Sequence, residues 1–390
     1  MEKIVFVAAK RTPFGSFGGS FKNLSATDLA VEASKAALKQ IGKPIEIDEV
    51  IYGNVLQTSA DAIYLARHVA LKSGLPISTP AVTVNRLCGS GFEAIIQGAR
   101  LIQSGEAKTV LVGGTESMSQ SPYVLRGARF GYKMSNQPFE DSLMAGLFDP
   151  IPKLPMALTA ENLAEMYKIS RKECDEFALL SQQRASEAQQ KNLLADEISP
   201  VEITERKETV TISKDEHIRA NTTIETLSKL KPVFKENGTV TAGNASGMVD
   251  GACSLILTTE ENAKKNHYKI LGEFIQSHVV GCDPKIMGIG PVAATQGLLK
   301  KANASLDSIS FVEVNEAFAP QFLAVKKELG LDISKTNVNG GAISIGHPLG
   351  ASGARLTTHL LYLLQKKGGG LGLGSACIGG GQGISVLIKV

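Results

Sequence analysis

Short apolar runs of strand length recur along the chain, and they alternate with stretches whose apolar residues return at about every third or fourth position. Ile4-Val5-Phe6-Val7, Ala81-Val82-Thr83-Val84 and Val110-Leu111-Val112 are of the first kind, and positions 28–40 and 92–102 are of the second. Continuous apolar runs suit strands buried on both faces, and the helical return suits a helix laid over them. Strand-helix alternation predicts an α/β protein with mainly parallel sheets covered by helices.

The pattern repeats. Ile47-Asp48-Glu49-Val50-Ile51-Tyr52-Gly53 falls on Ile309-Ser310-Phe311-Val312-Glu313-Val314-Asn315 at a shift of 262 positions. Cys88-Gly89-Ser90-Gly91 falls on Gly350-Ala351-Ser352-Gly353 at the same shift, and Val112-Gly113-Gly114-Thr115 on Gly374-Ser375-Ala376-Cys377. Separate segments sharing one register point to a duplicated unit. The closing run departs from it: Cys253-Ser254-Leu255-Ile256-Leu257 resembles Ile384-Ser385-Val386-Leu387-Ile388 at a shift of 131. About 131 residues between Thr115 and Ala252 therefore have no counterpart in the second half. That stretch holds Met- and Pro-containing turns, a polar helical pattern over 173–190 and a charged segment over 205–214, as suits a surface domain laid over the core. The expected division is 1–118 plus 247–265 for the first half, 119–246 for the insertion and 266–390 for the second half. Two such halves should stack their central helices and bring equivalent loops together, so that a site at the junction draws on both.

Composition narrows the classes. A net charge of +3 is too slight for a nucleic-acid surface, and the basic residues are not gathered in one run. A mean hydropathy of +0.04 describes an ordinary globular protein, with no membrane span expected. Five cysteines, odd in number and without CxxC or metal-type spacing, argue against a disulfide framework and a zinc site and for a reducing compartment. The start runs straight into a strand-like segment with no basic amphipathic presequence or apolar signal core. Cytoplasm is the expected compartment, with the mitochondrial matrix as the alternative. The 39 glycines crowd toward the last fifth of the chain, where backbone must turn tightly or approach a ligand.

The chemistry-bearing residues sit among those glycines and in one turn of the first half. Cys88, in Asn85-Arg86-Leu87-Cys88-Gly89-Ser90-Gly91, lies between a strand and a helix start. There the helix dipole and unpaired N–H groups should lower its thiol pKa and could hold an oxyanion. A lone cysteine on a turn is ordinarily a small core residue, and it is the flanking glycines and the further motifs that reverse this reading. His347, within the glycine-rich run 340–350, is a candidate base. His68, His217, His267, His278 and His359 lack such a setting and read as ordinary histidines. Cys377 precedes a glycine turn at the position equivalent to Thr115. Asn315 ends a strand, where the alternative is an amide capping its own turn. Cys174, Cys253 and Cys282 read as structural.

The cysteine turn, Asn315-Glu316-Ala317-Phe318-Ala319, the GHPLGASG run of 346–353 and the CIGGGQG run of 377–383 occur in the order found in the thiolase family, which the chain resembles over essentially its whole length. The resemblance implies two βαβαβαββ halves in a five-layered α-β-α-β-α core with an inserted loop domain. It implies an acyltransferase that cleaves or forms 3-oxoacyl-CoA through an acyl-cysteine, with coenzyme A as substrate and product, no metal, and a homodimer or homotetramer. Cys88 is similar to the nucleophile, His347 to the base that activates it, and Cys377 to the acid/base acting at the α-carbon. Asn315 is similar to a residue that holds a water polarising the enolate oxygen together with His347. The N–H groups of Cys88 and Gly379 are similar to the other oxyanion hole. For coenzyme A the resemblance points to Arg219, Thr222, Phe234 and Ser246 in the insertion, with Met156, Ala317 and Phe318 along the pantetheine tunnel.

Pro155 and Ala157 stand on either side of Met156 where acetoacetyl-specific members carry histidine and glycine, so the chain looks more like the broad 3-ketoacyl-CoA thiolases; Arg86 and Asp250 agree. An acetoacetyl-CoA-specific acetyltransferase is the alternative. A β-ketoacyl synthase would carry a histidine or asparagine in place of Cys377, and a non-catalytic acyl-CoA carrier would be expected to have lost Cys88, His347 or Cys377.

Overall fold

The computed structural model of the chain describes residues 2–205 and 208–390, so Arg206 and Lys207 of the expected charged segment lie outside the described residues. The first half runs β1 (Ile4–Arg11), α1 (Ala26–Ile41), β2 (Glu49–Gly53), α2 (Leu65–Lys72), β3 (Ala81–Val84), α3 (Ser90–Ser104) and β4 (Thr109–Ser117). A long excursion follows that contains α4 (Met156–Tyr167) and α5 (Arg171–Gln190), and β5 (Val249–Thr259) closes the half. The second half runs β6 (Gly272–Gly281), α6 (Gly290–Ala302), β7 (Ile309–Val314), α7 (Ala319–Leu329), α8 (Ser352–Lys366), β8 (Leu371–Ile378) and β9 (Gln382–Lys389).

Local chemistry accounts for the helix boundaries. Ser25 and Asp28 form a capping box at the start of α1, which ends on Gly42 in the left-handed region, and Ser170 and Glu173 do the same at the start of α5. Every residue of β4 and of β5 is buried, the apolar runs Val110–Val112 and Leu255–Leu257 together with the polar residues that flank them.

The strands form one hydrogen-bonded path in the order β7-β8-β9-β6-β1-β5-β4-β2-β3. The sequence leads one to expect mainly parallel pairing, and the sheet is mixed instead. Parallel pairs lie at the two ends, β7–β8 and β4–β2–β3, and antiparallel pairs fill the middle. The reason is connectivity: β8 and β9 are joined by a short turn, and a short turn can only return the chain antiparallel. The halves meet where Ile4–Phe6 of β1 pairs with Gly272–Phe274 of β6.

Side chains alternate along β1, so Val5 and Val7 pack under α1 and α2 with Leu29, Tyr52 and Leu111, while Ile4 and Phe6 face the opposite way. There they meet Phe92 and Ile95 of α3, Leu356 and Leu360 of α8, and Ile384 and Val386 of β9 in one central cluster. On the far side α6 and α7 bury Leu298 and Phe322 with Leu373 and Leu387, and α5 adds Phe177, stacked on Phe322 at 4.1 Å between ring centroids. The layers are thus α-β-α-β-α, with α3 and α8 as the shared middle.

The shift of 262 survives in space: α3 begins at Ser90 and α8 at Ser352, and β4 begins at Thr109 and β8 at Leu371. A Cβ on Gly91 would stand 2.6 Å from the Ala354 nitrogen, and one on Gly353 would stand 2.3 Å from the Phe92 nitrogen. These reciprocal contacts bring the two helix starts together at a distance only glycine permits. The second half lacks a strand equivalent to β3; the parallel bridge Val312–Thr336 stands where Val50 pairs with Ala81 in the first.

Arg11 fastens the excursion to the core. Its guanidinium takes Asp215 bidentately at 2.7 and 2.8 Å and Glu197 at 2.8 Å, all three buried. Glu197 also meets His359 at 2.8 Å. Burial alone would raise the Glu197 carboxyl, but His359 and Arg11 together hold it down to about 2.

Candidate active site

The turn that carries Cys88 is closed from both sides. Leu87 takes a positive φ of 46°, Gly89 N–H donates to the Arg86 carbonyl, and Ser90 Oγ accepts from the Arg86 N–H at 2.9 Å. The Arg86 guanidinium donates to Glu93 at 2.8 Å and crosses to Gln382 of the second half at 3.1 Å. Gly89 has no room for a side chain, because a Cβ would stand 2.6 Å from Ile378 Cδ1. A non-glycine residue at positive φ is strain that the surrounding contacts must hold.

Cys88 is half-buried, and burial pushes its thiol up to about 11, against the pull of the backbone N–H groups of Gly379 and of Cys88 itself. The sequence leads one to expect a lowered value at the helix start; here burial of the sulfur outweighs the pull of the two amides. The resting group is a thiol, and it needs a base.

His347 lies between a single helical turn (Ala342–Ile345) and α8. Its N–H donates to the Gly247 carbonyl at 2.9 Å, and its Nδ1 is 2.5 Å from Ser352 Oγ, which donates to the Pro348 carbonyl. With the serine proton so engaged, the imidazole donates from Nδ1, and Nε2 carries the lone pair. Asn315 Nδ2 lies 3.3 Å from that Nε2. Burial, with the Arg355 charge adding to it, pushes the imidazole down to about 3, so the ring is neutral near neutral pH.

Asn315 is fully buried at the end of β7, its N–H donating to the Ser375 carbonyl at 2.9 Å, and its Oδ1 has no partner among the described residues. Cys377, the second-last residue of β8, is fully buried, and its thiol is raised well above the ordinary value by burial first, with the neighbouring Cys88 and Cys282 adding to it. Cys282, which the sequence reading set aside as structural, thus stands near the site. Cys377 packs with Met287, Ala317, Met156 and Phe318. At Gly379 a Cβ would stand 3.3 Å from Met156 Sδ and 3.4 Å from Leu87 Cδ1.

A cavity of about 470 Å³ opens in the insertion, walled by Gln182, His217, Arg219, Thr222, Leu230, Gly243 and Ile343 among others. Arg219 and Thr222 are in its walls; Phe234, exposed, and Ser246 are not. Ser246 instead links cavity and site, its N–H donating to the Ala317 carbonyl at 3.0 Å next to the Ala245–Phe318 bridge. Gly247 packs its bare α-carbon on the His217 ring.

Motif reading missed Ser352, Met287, Gln182 and His217. Ser352 could have been found, because it is the repeat equivalent of Ser90, and both hydroxyls bond the backbone of the turn that precedes their helix. For the other three the sequence carries no signal, since their role depends on what folds against them.

Thiols, a neutral imidazole and converging backbone amides, set at the junction of two duplicated α/β halves, define an enzyme of thiol-dependent acyl transfer. Models of the thiolase N-terminal domain and the thiolase C-terminal domain match residues 4–261 and 268–390. The chain belongs to the thiolase family, whose members transfer acyl groups by reversible thiolytic cleavage and condensation of coenzyme A thioesters. It is 57% identical to a human protein named mitochondrial 3-ketoacyl-CoA thiolase, over 99% of this chain and 98% of that protein. It is 48% identical to a probable acetyl-CoA acyltransferase of Staphylococcus aureus, over 100% and 99%. The crystal structure of human mitochondrial 3-ketoacyl-CoA thiolase in complex with CoA superposes with a TM-score of 0.97 at 56% identity, covering 100% of this chain and 98% of that one.

Proposed function

We propose that Cys88 is the nucleophile of this acyltransferase, that His347 is its base and that Cys377 is the acid/base at the α-carbon. In thiolysis the Cys88 proton passes to His347 Nε2 and the sulfur attacks the 3-oxo carbon. The bond between C2 and C3 breaks, and the electron pair leaves as the enolate of acetyl-CoA, which Cys377 protonates. Coenzyme A then passes its thiol proton to the Cys377 thiolate and its sulfur takes the acyl group, the departing Cys88 sulfur recovers its proton from His347, and condensation is the same path reversed. The amides of Cys88 and Gly379 receive the oxyanion at the acyl carbonyl. Asn315 and His347 serve the enolate oxygen, through a water on the otherwise unpartnered Asn315 Oδ1. The observation that carries this reading is the buried His347 ring, held at Nδ1 by Ser352 at 2.5 Å with Nε2 at 3.3 Å from Asn315 Nδ2, next to an Asn315 Oδ1 that has no partner among the described residues.

The insertion, residues 119–246, carries the coenzyme A subsite in this proposal. Arg219 and Thr222 in the cavity serve the nucleotide, Phe234 stacks on the adenine, and Ser246, Ala317, Phe318 and Met156 follow the pantetheine arm to the thiols. Residues 1–118 with 247–265, and 266–390, are the two catalytic halves.

Pro155 and Ala157 around Met156 favour a broad 3-ketoacyl-CoA range, as in fatty-acid β-oxidation, over acetoacetyl-CoA alone. Thiolysis of 3-oxoacyl-CoA substrates from about four to sixteen carbons, with wild type and Cys88→Ser, tests both points. Activity beyond acetoacetyl-CoA that vanishes in the variant is the expected result. Activity confined to acetoacetyl-CoA selects the short-chain acetyltransferase, and none at any length overturns the catalytic reading. The five free cysteines suit a reducing compartment, either cytoplasm or the mitochondrial matrix, which cell fractionation with an antibody to the chain decides.

A further inference from the structure

We propose that Glu116 is a positioning residue for the catalytic base: its carboxylate binds loops of both halves together and sets where His347 stands relative to Cys88. The assignment rests on the reading of His347 given above. Glu116 is the second-last residue of β4 and fully buried. Its Oε2 accepts from Gly350 N–H at 2.9 Å and Val55 N–H at 3.2 Å, and its Oε1 accepts from Leu56 N–H at 2.9 Å and Asn54 Nδ2 at 3.0 Å. Four donors fill the acceptor sites of one carboxylate. Three come from the loop that follows β2 in the first half, and the fourth comes from the turn three residues after His347 in the second.

That turn is closed from within by the Ala351 and Ser352 N–H groups, which both donate to the Pro348 carbonyl, and it is packed closely against the first half. Gly350 lacks a side chain because a Cβ would stand 2.5 Å from the Thr115 carbonyl oxygen, and its own carbonyl oxygen lies 2.9 Å from where a Gly91 Cβ would be, three residues beyond Cys88. The Gly350 turn therefore touches the helix start that follows the nucleophile, and Glu116 fixes it there. His347 is anchored upstream by Gly247 and sideways by Ser352, so the Glu116 bond is the third point that fixes its plane. Among the described residues Glu116 forms no salt bridge, and burial pushes its carboxyl up to about 7 even against the Leu56, Gly350 and Val55 amides. A carboxyl kept at that desolvation cost is explained when only its two oxygens can accept from the donors of both loops at once.

The test compares wild type, Glu116→Gln and His347→Ala in acetoacetyl-CoA thiolysis, with folded sites counted by stoichiometric iodoacetamide labelling of Cys88. Glutamine keeps the volume but turns an NH2 group toward one pair of donors. The expected result is a kcat per labelled site lowered by about tenfold or more, with KM for coenzyme A unmoved within about twofold. A purely structural role would lower the number of labelled sites and leave kcat per site intact, and that outcome overturns the proposal. Full activity in His347→Ala would instead remove the reading of His347 on which the proposal rests. Should Glu116→Gln fail to accumulate, Asn54→Ala, which deletes one donor, carries the test. A fall of about threefold in kcat per site at constant KM supports the proposal, and an unchanged kcat sinks it.

Discussion

Cys88 and His347 each carry a pKa moved away from neutrality, the thiol up to about 11 and the imidazole down to about 3, both chiefly by burial. The pair therefore rests as thiol and neutral ring, the arrangement in which proton transfer charges both groups only when the substrate is present. Two consequences separate. Alkylation of Cys88 in the free enzyme should quicken steadily from about pH 7 toward about pH 10, without a plateau near the ordinary thiol value, as stopped-flow reaction with iodoacetamide would register. A plateau reached by about pH 7 would mean a resting thiolate and contradict the burial argument. Stability follows the histidine in the opposite sense to a salt-bridged one. Between the folded value of about 3 and the ordinary 6.5 the unfolded chain binds the extra proton, so stability is fully present above 6.5 and falls as pH drops toward 3. Glu197, held near 2, loses its contribution over a lower window, from the ordinary 4.5 down to 2. Urea unfolding of wild type and His347→Gln at about pH 7 and about pH 5 should show a smaller loss in the variant, and an equal loss would exclude His347 as a source of the pH dependence.

Among the elements, the α3–α8 pair decides whether the two halves share a site. Both helices begin with Ser-Gly at equivalent repeat positions, and each glycine admits the other helix's backbone. Gly91→Ala would set a methyl 2.6 Å from the Ala354 nitrogen, where backbone cannot yield without moving a helix start. A loss of about 1–3 kcal/mol is expected, read as a lowered urea midpoint with an unchanged slope, together with reduced thiolysis because Cys88 and His347 sit on either side of that contact. An unshifted midpoint would mean that the helices part freely. The register of this pair was legible in the sequence because the repeat is local and ungapped there. The absence of a β3 equivalent in the second half was not legible, since a strand of four residues is set by its neighbours as much as by its own composition.

For the molecule as a whole, the sheet path ends at β3, an edge strand whose Val82 is exposed, with Ile77 beside it 83% exposed. A second apolar surface lies in the insertion, where Phe130 is 89% exposed and Phe139 and Tyr123 are exposed as well. Open strand edges and apolar patches of this kind are covered in stable proteins. We propose that they are covered in a homo-oligomer, a dimer through β3 and a tetramer if the insertion surface is also used. Light scattering after size-exclusion chromatography should report twice or four times the mass of 41.3 kDa, and Val82→Lys should shift it toward the monomer. A wild-type monomer at micromolar concentration would overturn this.

The sequence by itself determined the elements, the duplication with its inserted stretch, and the chemical identity of the candidate residues Cys88, His347, Asn315 and Cys377, because periodicity, glycine turns and motif order are all carried locally along the chain. Tertiary structure decided what those residues are like. It set the direction of the Cys88 shift, because desolvation depends on everything packed around the sulfur and not on the helix that follows it. It made the sheet mixed and joined the halves through β1 and β6, because strand pairing is non-local. It also recruited Ser352, Met287, His217 and Glu116, whose neighbours in space lie far away in sequence.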